Sequence, residues 1–315
     1  MNKKNLICIT TYSNPDLLWI YLSQLKKCET FPNYGIRIFT EVGYNKEIDD
    51  VIGMFSDFDI SIKVREKHPN CPLTGFHNIL ETYRDGYNEC SEYCIFGEDD
   101  IIPTEDYLKF NDYVYRNYLS KFDRIFCVGH KRRPENELVG NSNILIGDFQ
   151  MTSPSCVSRE TIGKYVLPHL TSDLYDDPTG YYFKNFRDSR IPWYSFSHHD
   201  CFLERIMWKN KLFGLKPDLA ISGHVGLRGI HSKGSPPDGT LEERIEKYIQ
   251  LMNDPERLRS LSTMPQDLVV PPSWIRGEWE EQILDVNRNL AKASSWFYDT
   301  ENEFQEYIKN SLTKE

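Results

Sequence analysis

No apolar run in this chain approaches the roughly 20 residues needed to cross a bilayer. Met1-Asn2-Lys3-Lys4-Asn5 leads straight into a strand-like segment and not into a signal-peptide core, so a cytoplasmic protein without a transmembrane segment is expected. A Cys-x-x-Cys pair is also missing. The eight cysteines are scattered, and Cys8, Cys94 and Cys127 lie inside apolar runs, which favours reduced core thiols over disulfides or a zinc site. Positive charge is scarce: 37 Lys and Arg stand against 47 Asp and Glu, and the net charge of −10 argues against a nucleic-acid surface. Only Lys131-Arg132-Arg133 forms a compact basic cluster, readable as a solvated loop or as compensation for a bound diphosphate. Neither Gly-x-Gly-x-x-Gly after the first strand nor Gly-x-x-x-x-Gly-Lys-Ser/Thr occurs, so the chain has no glycine-rich fingerprint for cradling phosphate.

What is present is an ordinary globular composition, 39% hydrophobic and 27% charged over 315 residues, enough for one large domain or a domain with an appendage. The first half alternates strand and helix. Strands are expected at 6–10, 36–42, 60–64, 93–96 and 125–128, and helices at 15–25, 73–87 and 106–119. In the second of these helices Leu73, Phe76, Leu80, Tyr83 and Tyr87 share one stripe that should pack on a sheet. Such alternation implies parallel βαβ units, and open sheets of this kind bind ligands beyond the carboxyl ends of their strands. The second half is less regular. It reads as an extended segment at 150–157, a helix at 159–167, a long loop at 171–197, a helix at 200–209 and a strand at 219–222. A loop of that length is often a functional lid. A glycine-punctuated stretch, Gly223 to His231, follows, and from residue 240 onward the chain reads as pieces of helix broken by prolines.

The most informative motif is Glu98-Asp99-Asp100, three carboxylates directly after the apolar run Tyr93-Cys94-Ile95-Phe96. Dense negative charge at the lip of a core calls for a cation, and hard oxygen ligands suit Mg²⁺ or Mn²⁺, which can hold a diphosphate. The alternative is an acidic turn at the start of a helix beginning near Pro103.

A strand, an acidic triplet, a helix opening with an acidic residue and a later strand leading to histidine resemble the plan of nucleotide-sugar glycosyltransferases of the GT-A fold. The N-acetylglucosaminyltransferase I type, with its Glu-Asp-Asp motif, is the nearest form. The likeness lies in Phe96 to Tyr107 and in Ile9-Thr10-Thr11-Tyr12-Ser13-Asn14, and it spans roughly residues 5 to 235. The resemblance implies an α/β GT-A catalytic domain over 1–235, a mostly parallel Rossmann-like sheet flanked by helices, with a helical C-terminal extension over 236–315. It implies Asp100 as metal ligand, Glu98 and Asp99 facing the donor's sugar and ribose, and Glu41 and His77 as nucleotide-base contacts, with Thr10 and Asn14 in the first loop of the donor site. The family has Asp where Glu41 stands, and its first-loop arginine is replaced by Ser13-Asn14. From the residues alone, Glu41 also reads as a solvated strand end and His77 as an imidazole hydrogen-bonded at a helix–sheet boundary.

An inverting transfer needs one general base on the acceptor side and a metal on the leaving side. Asp200, in Ser197-His198-His199-Asp200, resembles the family's base. It reads equally as a helix N-cap, and Glu204, one turn further on, is the fallback. His198 and His199, adjacent and pointing apart, are discounted as metal ligands. His224 is a candidate second metal or phosphate contact, with His231, Arg228 and Lys233 nearby in sequence, or else part of a connector with incidental histidines. The expected activity is transfer of a sugar from a nucleoside diphosphate sugar, UDP-sugar favoured, to a hydroxyl of a glycan or glycoconjugate. The expected metal is Mn²⁺ or Mg²⁺. A nucleotidyltransferase of related topology fits the same carboxylates but usually brings a Gly-rich first loop. A glycan-binding module would use Tyr181, Tyr182, Trp193 and Tyr194 yet leaves the triplet without a purpose. In the tail, Trp274, Trp279, Ile283, Leu290, Trp296, Phe297, Phe304 and Tyr307 predict short packed helices.

Overall fold

Leu6, Ile7, Cys8 and Ile9 are all buried, the pattern of a strand covered on both faces. This strand, β1 (Asn5–Thr10), is the axis of the computed structural model, which describes residues 4–71, 75–129, 144–147, 155–187, 199–217, 221–224, 228–229, 232–233 and 238–252. After it come α1 (Pro15–Leu25), β2 (Tyr34–Glu41), α2 (Glu47–Met54), β3 (Ile60–Arg65), α3 (Phe76–Glu89), β4 (Tyr93–Glu98), β5 (Ile101–Pro103), α4 (Tyr107–Val114) and β6 (Ile125–Gly129). Then follow β7 (Ile144–Gly147), β8 (Ser155–Ser158), α5 (Arg159–Thr161), α6 (Ser172–Asp176), α7 (Pro178–Asn185), α8 (His199–Asn210), β9 (Phe213–Pro217), β10 (Ser222–His224), β11 (Arg228–Gly229), β12 (Ser232–Lys233) and α9 (Leu241–Met252).

The main sheet has eight strands in the order β3-β2-β1-β4-β8-β6-β9-β7. β1 pairs in parallel with β2 and β4, and β2 with β3, while β8 and β7 run antiparallel to their neighbours. The expected α/β class with a mostly parallel, helix-flanked sheet is what forms, but the sheet is mixed and not built of parallel units throughout. Alternation along β1 splits the core. Ile7 and Ile9 face α1, α2, α4 and α9, whereas Leu6 and Cys8 face α3, α7 and α8. All eight cysteines are free, and seven of them are buried.

Several expectations change. The segment 171–197 is not one long loop: α6 and α7 occupy its first part, with Leu174, Tyr175, Tyr182 and Phe186 in the core, while 188–197 lies outside the described residues. The Asp177 side chain accepts from Gly180 N at 2.9 Å and Pro178 opens the helix, a start signal that the abundance of polar and aromatic residues obscured. No helix starts at Pro103. Residues 101–103 pair with β10, and the helix begins at Tyr107 and ends in a wider π-type turn over Tyr115–Leu119. The helix expected from residue 73 starts at Phe76, because Gly75 has φ +78°, a left-handed value outside the helix. The helix expected at 159–167 is irregular, passing from a short α-turn into a π-type turn at Ile162–Val166. The strand expected at 219–222 lies at 222–224 instead, with β9 before it.

α9 begins inside the expected C-terminal extension and packs on α1 and α2, placing Leu241, Ile245 and Tyr248 in buried positions. Arg244 of α9 also reaches Glu47, and its Nε lies 3.8 Å from the buried carboxylate of Asp16. The later aromatic residues of the tail lie outside the described residues. Ile245→Ala should lower unfolding stability by about 2 kcal/mol or more, as for a core truncation. Glu246→Ala, on the exposed side of the same helix, should change it little. Urea unfolding of both variants checks whether α9 is docked.

Candidate active site at the β1–β4 switch point

From β1 the chain builds β2 and β3 on one side and then crosses to lay β4 on the other, so the order of connections reverses between β1 and β4. Crevices at such a reversal, outside the carboxyl ends of the strands, are where α/β sheets bind ligands. The acidic triplet sits at this point. Thr10, the last residue of β1, pairs in register with Glu98, the last of β4.

The three carboxylates go different ways. Asp99 is buried; its Oδ2 accepts from Thr11 Oγ1 at 2.6 Å, its Oδ1 from Asn14 Nδ2 at 3.3 Å, and its amide donates to Thr10 O at 3.1 Å. Burial, together with the neighbouring Asp100 charge, pushes the Asp99 carboxyl up to about 8, and the Thr11 and Asn14 hydrogen bonds pull the other way. Glu98 turns toward α8, where its Oε1 lies 3.8 Å from His199 Nε2. Asp100, also buried, leads into β5.

Two remote segments are brought here. Asp200 stands in the first turn of α8 with Oδ1 3.3 Å from His199 Nε2, and a narrow cleft is lined by Thr10, Gly97, Glu98, Ser155, His199 and Asp200. β10 pairs antiparallel with β5 so that His224 lies opposite Ile101, the residue after Asp100. Thr104 fixes this pairing by donating its amide and hydroxyl to Ile221 O, at 3.1 and 2.9 Å. Glu204 follows Asp200 by four residues on α8 and is partly buried, but it is not among the cleft-lining residues.

Glu41 and His77 sit on the other side of the switch. Glu41 ends β2 in register with Arg65; burial raises its carboxyl, while Lys67, Arg65 and the amide of Gly75 lower it. His77, the second residue of α3, packs tilted against His68 and edge-on to Tyr175, with ring centroids 5.0 and 4.6 Å away, and burial lowers its pKa. It is not among the residues lining the cleft. Lys131-Arg132-Arg133, His198, Trp193, Tyr194 and His231 lie outside the described residues.

Four residues at the site are not assigned there from the sequence, where Tyr83 reads as part of an apolar stripe and His199 is discounted as a metal ligand. Thr11 secures Asp99, and His199 faces two candidate carboxylates. Tyr83 stacks on Phe96 at 3.9 Å between centroids and lines the same cleft. Tyr12 is 43% exposed beside Gly43 and Lys67, an aromatic face open at the strand ends. Only Thr11 and Tyr12 carried a signal, as part of the polar run that follows β1.

The donor set is one of hard oxygens. Among the described residues no three His, Cys, Asp or Glu side chains are grouped closely enough to hold a metal by themselves. Mg²⁺-like ions usually take one or two carboxylates plus phosphate and water oxygens, so a single buried carboxylate such as Asp100 fits that mode and a closed protein cage does not.

No protein-family model matches the chain, and no curated protein matches it. Among solved structures it is similar to S. aureus TarS 1–349 in complex with UDP, at 12% identity over 69% of this chain and 58% of that one, TM-score 0.41. It is also similar to the mannosyltransferase PcManGT from Pyrobaculum calidifontis in complex with GDP-Man and Mn2+, at 11% identity over 100% of this chain and 87% of that one, TM-score 0.39. A third is glucosyl-3-phosphoglycerate synthase from Mycobacterium tuberculosis in complex with Mn2+, UDP and phosphoglyceric acid, at 11% identity over 56% and 65% of the two chains, TM-score 0.34. The chain spans 45% and 58% of two TarS chains, about half their length. At these scores the likeness assigns no activity to the chain.

Thr11→Val keeps the shape of the side chain but removes the donor to a buried carboxylate. It should cost about 1–3 kcal/mol in urea unfolding, and Thr11→Ser should restore most of that. An unchanged midpoint in the valine variant would mean that Asp99 is held by something else.

Proposed function

We propose that the protein is a metal-dependent glycosyltransferase of the GT-A type. It would transfer a sugar, with inversion, from a nucleoside diphosphate sugar, UDP-sugar favoured, to a hydroxyl of a glycan or glycoconjugate. The observation that carries this reading is the meeting of Glu98 and Asp200, 102 positions apart in sequence, beside the same ring nitrogen of His199 at the sheet's switch point. It supports one carboxylate group for the donor and a separate carboxylate for the acceptor.

In this reading the acceptor hydroxyl enters beside Asp200. Its oxygen attacks the anomeric carbon as the bond to the diphosphate breaks on the opposite face, and its proton passes to the Asp200 carboxylate. Asp200 is partly exposed, as a base that must meet an acceptor needs to be. Asp100, with His224 as second candidate, would hold a divalent ion, Mn²⁺ or Mg²⁺, that when bound neutralises the departing diphosphate. Glu98 turns toward the cleft and suits a contact to the donor sugar. Asp99 is bonded to Thr11 and Asn14, and so supports the donor site from behind. Glu41 and Tyr12 offer a polar group and an aromatic face to the nucleotide base. Residues 1–235 form the catalytic unit in this reading and 236–315 an extension whose first helix docks on it. Free thiols suit a reducing cytoplasm, and among the described residues no helix is long and apolar enough to cross a membrane.

The test is a screen of UDP-, GDP- and CMP-sugars for nucleotide release, with Mn²⁺ and with EDTA. Release that depends on Mn²⁺ supports the reading, and full activity in EDTA sinks it. With an active donor in hand, Asp100→Ala should abolish turnover while leaving the fold largely intact. Asp200→Asn should lower transfer by about 10²-fold or more while nucleotide binding survives, a loss of the size expected for a general base. Near-normal transfer by Asp200→Asn would move the base to Glu204 or point to a retaining mechanism.

A further inference from the structure

One side chain, assigned no role above, faces two of the candidate residues at once. His199, the first residue of α8, has its side chain 18% exposed, with Nε2 3.3 Å from Asp200 Oδ1 and 3.8 Å from Glu98 Oε1. We propose that His199 is a positioning residue whose imidazole bridges the two carboxylates, aiming Asp200 into the cleft and fastening the start of α8 to the end of β4. The proposal deepens the glycosyltransferase reading and rests on it for the role of Asp200.

Two carboxylates that approach one another at the mouth of a cleft repel, and partial burial strengthens that repulsion. Left alone they would turn apart toward water, and Asp200 would have no fixed direction. The Nε2 edge of His199 offsets this repulsion: at 3.3 Å it is close enough to share a proton with Asp200, while at 3.8 Å it acts on Glu98 through its charge or dipole and not through a hydrogen bond. The shorter distance makes Asp200 the principal partner and Glu98 the secondary one. Both the imidazolium and the neutral Nε2-protonated ring present this donor, so the bridge does not depend on titration of the histidine.

The backbone supports the arrangement from both sides. Glu98 is held by parallel pairing of β4 with β1, in register with Thr10. α8 is held by Phe202, Leu203, Ile206 and Met207, all buried in the core cluster that also contains Phe96. Helix and strand are thus each anchored by their own apolar contacts, and His199 links their polar ends. A positioning role matters because displacement of a reacting group by about 1 Å can cost as much as 10²-fold in rate.

Two measurements on the full-length chain test this. In the first, with no ligand present, ¹⁵N-histidine labelling resolves the eight imidazoles, and the signal lost in His199→Gln is that of His199. Nε2 should carry a proton, and the signal should shift in both Asp200→Asn and Glu98→Gln. An unprotonated Nε2, or a signal unmoved by both substitutions, overturns the bridge.

In the second, the sugar donor that turns over in the screen is used with Mn²⁺. His199→Ala should lower kcat roughly 10-fold or more with KM for the donor nearly unchanged, and His199→Gln, whose amide still donates, should regain most of the rate. A loss confined to KM, or an equal loss in both variants, overturns the positioning role. A wild-type chain inactive on every donor sinks the glycosyltransferase reading instead, and the imidazole signals then decide alone whether the bridge exists.

Discussion

A carboxylate buried at the end of a sheet must be solvated by the protein itself, and the site is arranged around meeting that demand for Asp99. Its two oxygens are taken by Thr11 and Asn14, and its amide by Thr10 O, so the loop after β1 is fastened across the switch point to the end of β4. The consequence for its neighbours is directional. Successive side chains at a strand end point to opposite faces. With Asp99 turned inward, Glu98 is turned toward α8, and Asp100 opens the segment that pairs with β10. One buried group thereby spreads three carboxyl groups over three different surroundings, where a random acidic turn would leave them together in solvent.

The strand beneath has to make room for this. A Cβ on Gly97 would come within 2.9 Å of the Tyr21 hydroxyl, which itself is fully buried and lies 3.4 Å from Tyr107. Any larger residue between Phe96 and Glu98 would push against α1 at the point where the strand delivers its carboxylates. Core packing and site geometry are coupled through this contact, since α1 begins only a few residues after the loop that bonds Asp99. α9, docked on the far side of α1, extends the same chain of contacts into the C-terminal region.

Legibility in the sequence followed the range of the interactions involved. α1 was read with its observed bounds because Asn14-Pro15 marks a start and the following residues keep one apolar stripe. β1, β4 and β6 were read within two residues at each end because each is a dense apolar run, and β2 and β3 because β-branched residues recur in them between polar ones. α6 and α7 were missed because helices of five and eight residues give too few turns for a period to register, and their aromatic residues resembled a binding loop. β5 was missed because three residues become a strand only through a partner 119 to 123 positions away. At the site, the acidic triplet was visible as composition. The Thr11 bond and the place of His199 were not, since both depend on which elements meet and no local pattern encodes that.

The balance of charge at the switch point gives the proposed chemistry its order. Glu98, Asp99, Asp100 and Asp200 gather at one end of the sheet. Of the nearby cations, Arg65 is already committed, its guanidinium bonded to Asp85 and Asn78. A nucleoside diphosphate carries negative charge of its own, so its approach to such a surface is unfavourable until positive charge arrives. His199 can relieve Glu98 and Asp200 toward each other, but it does nothing for Asp100, which lies on the β10 side. A divalent ion would supply positive charge on that side, and in the proposed reaction metal and donor should bind together, each weakly without the other.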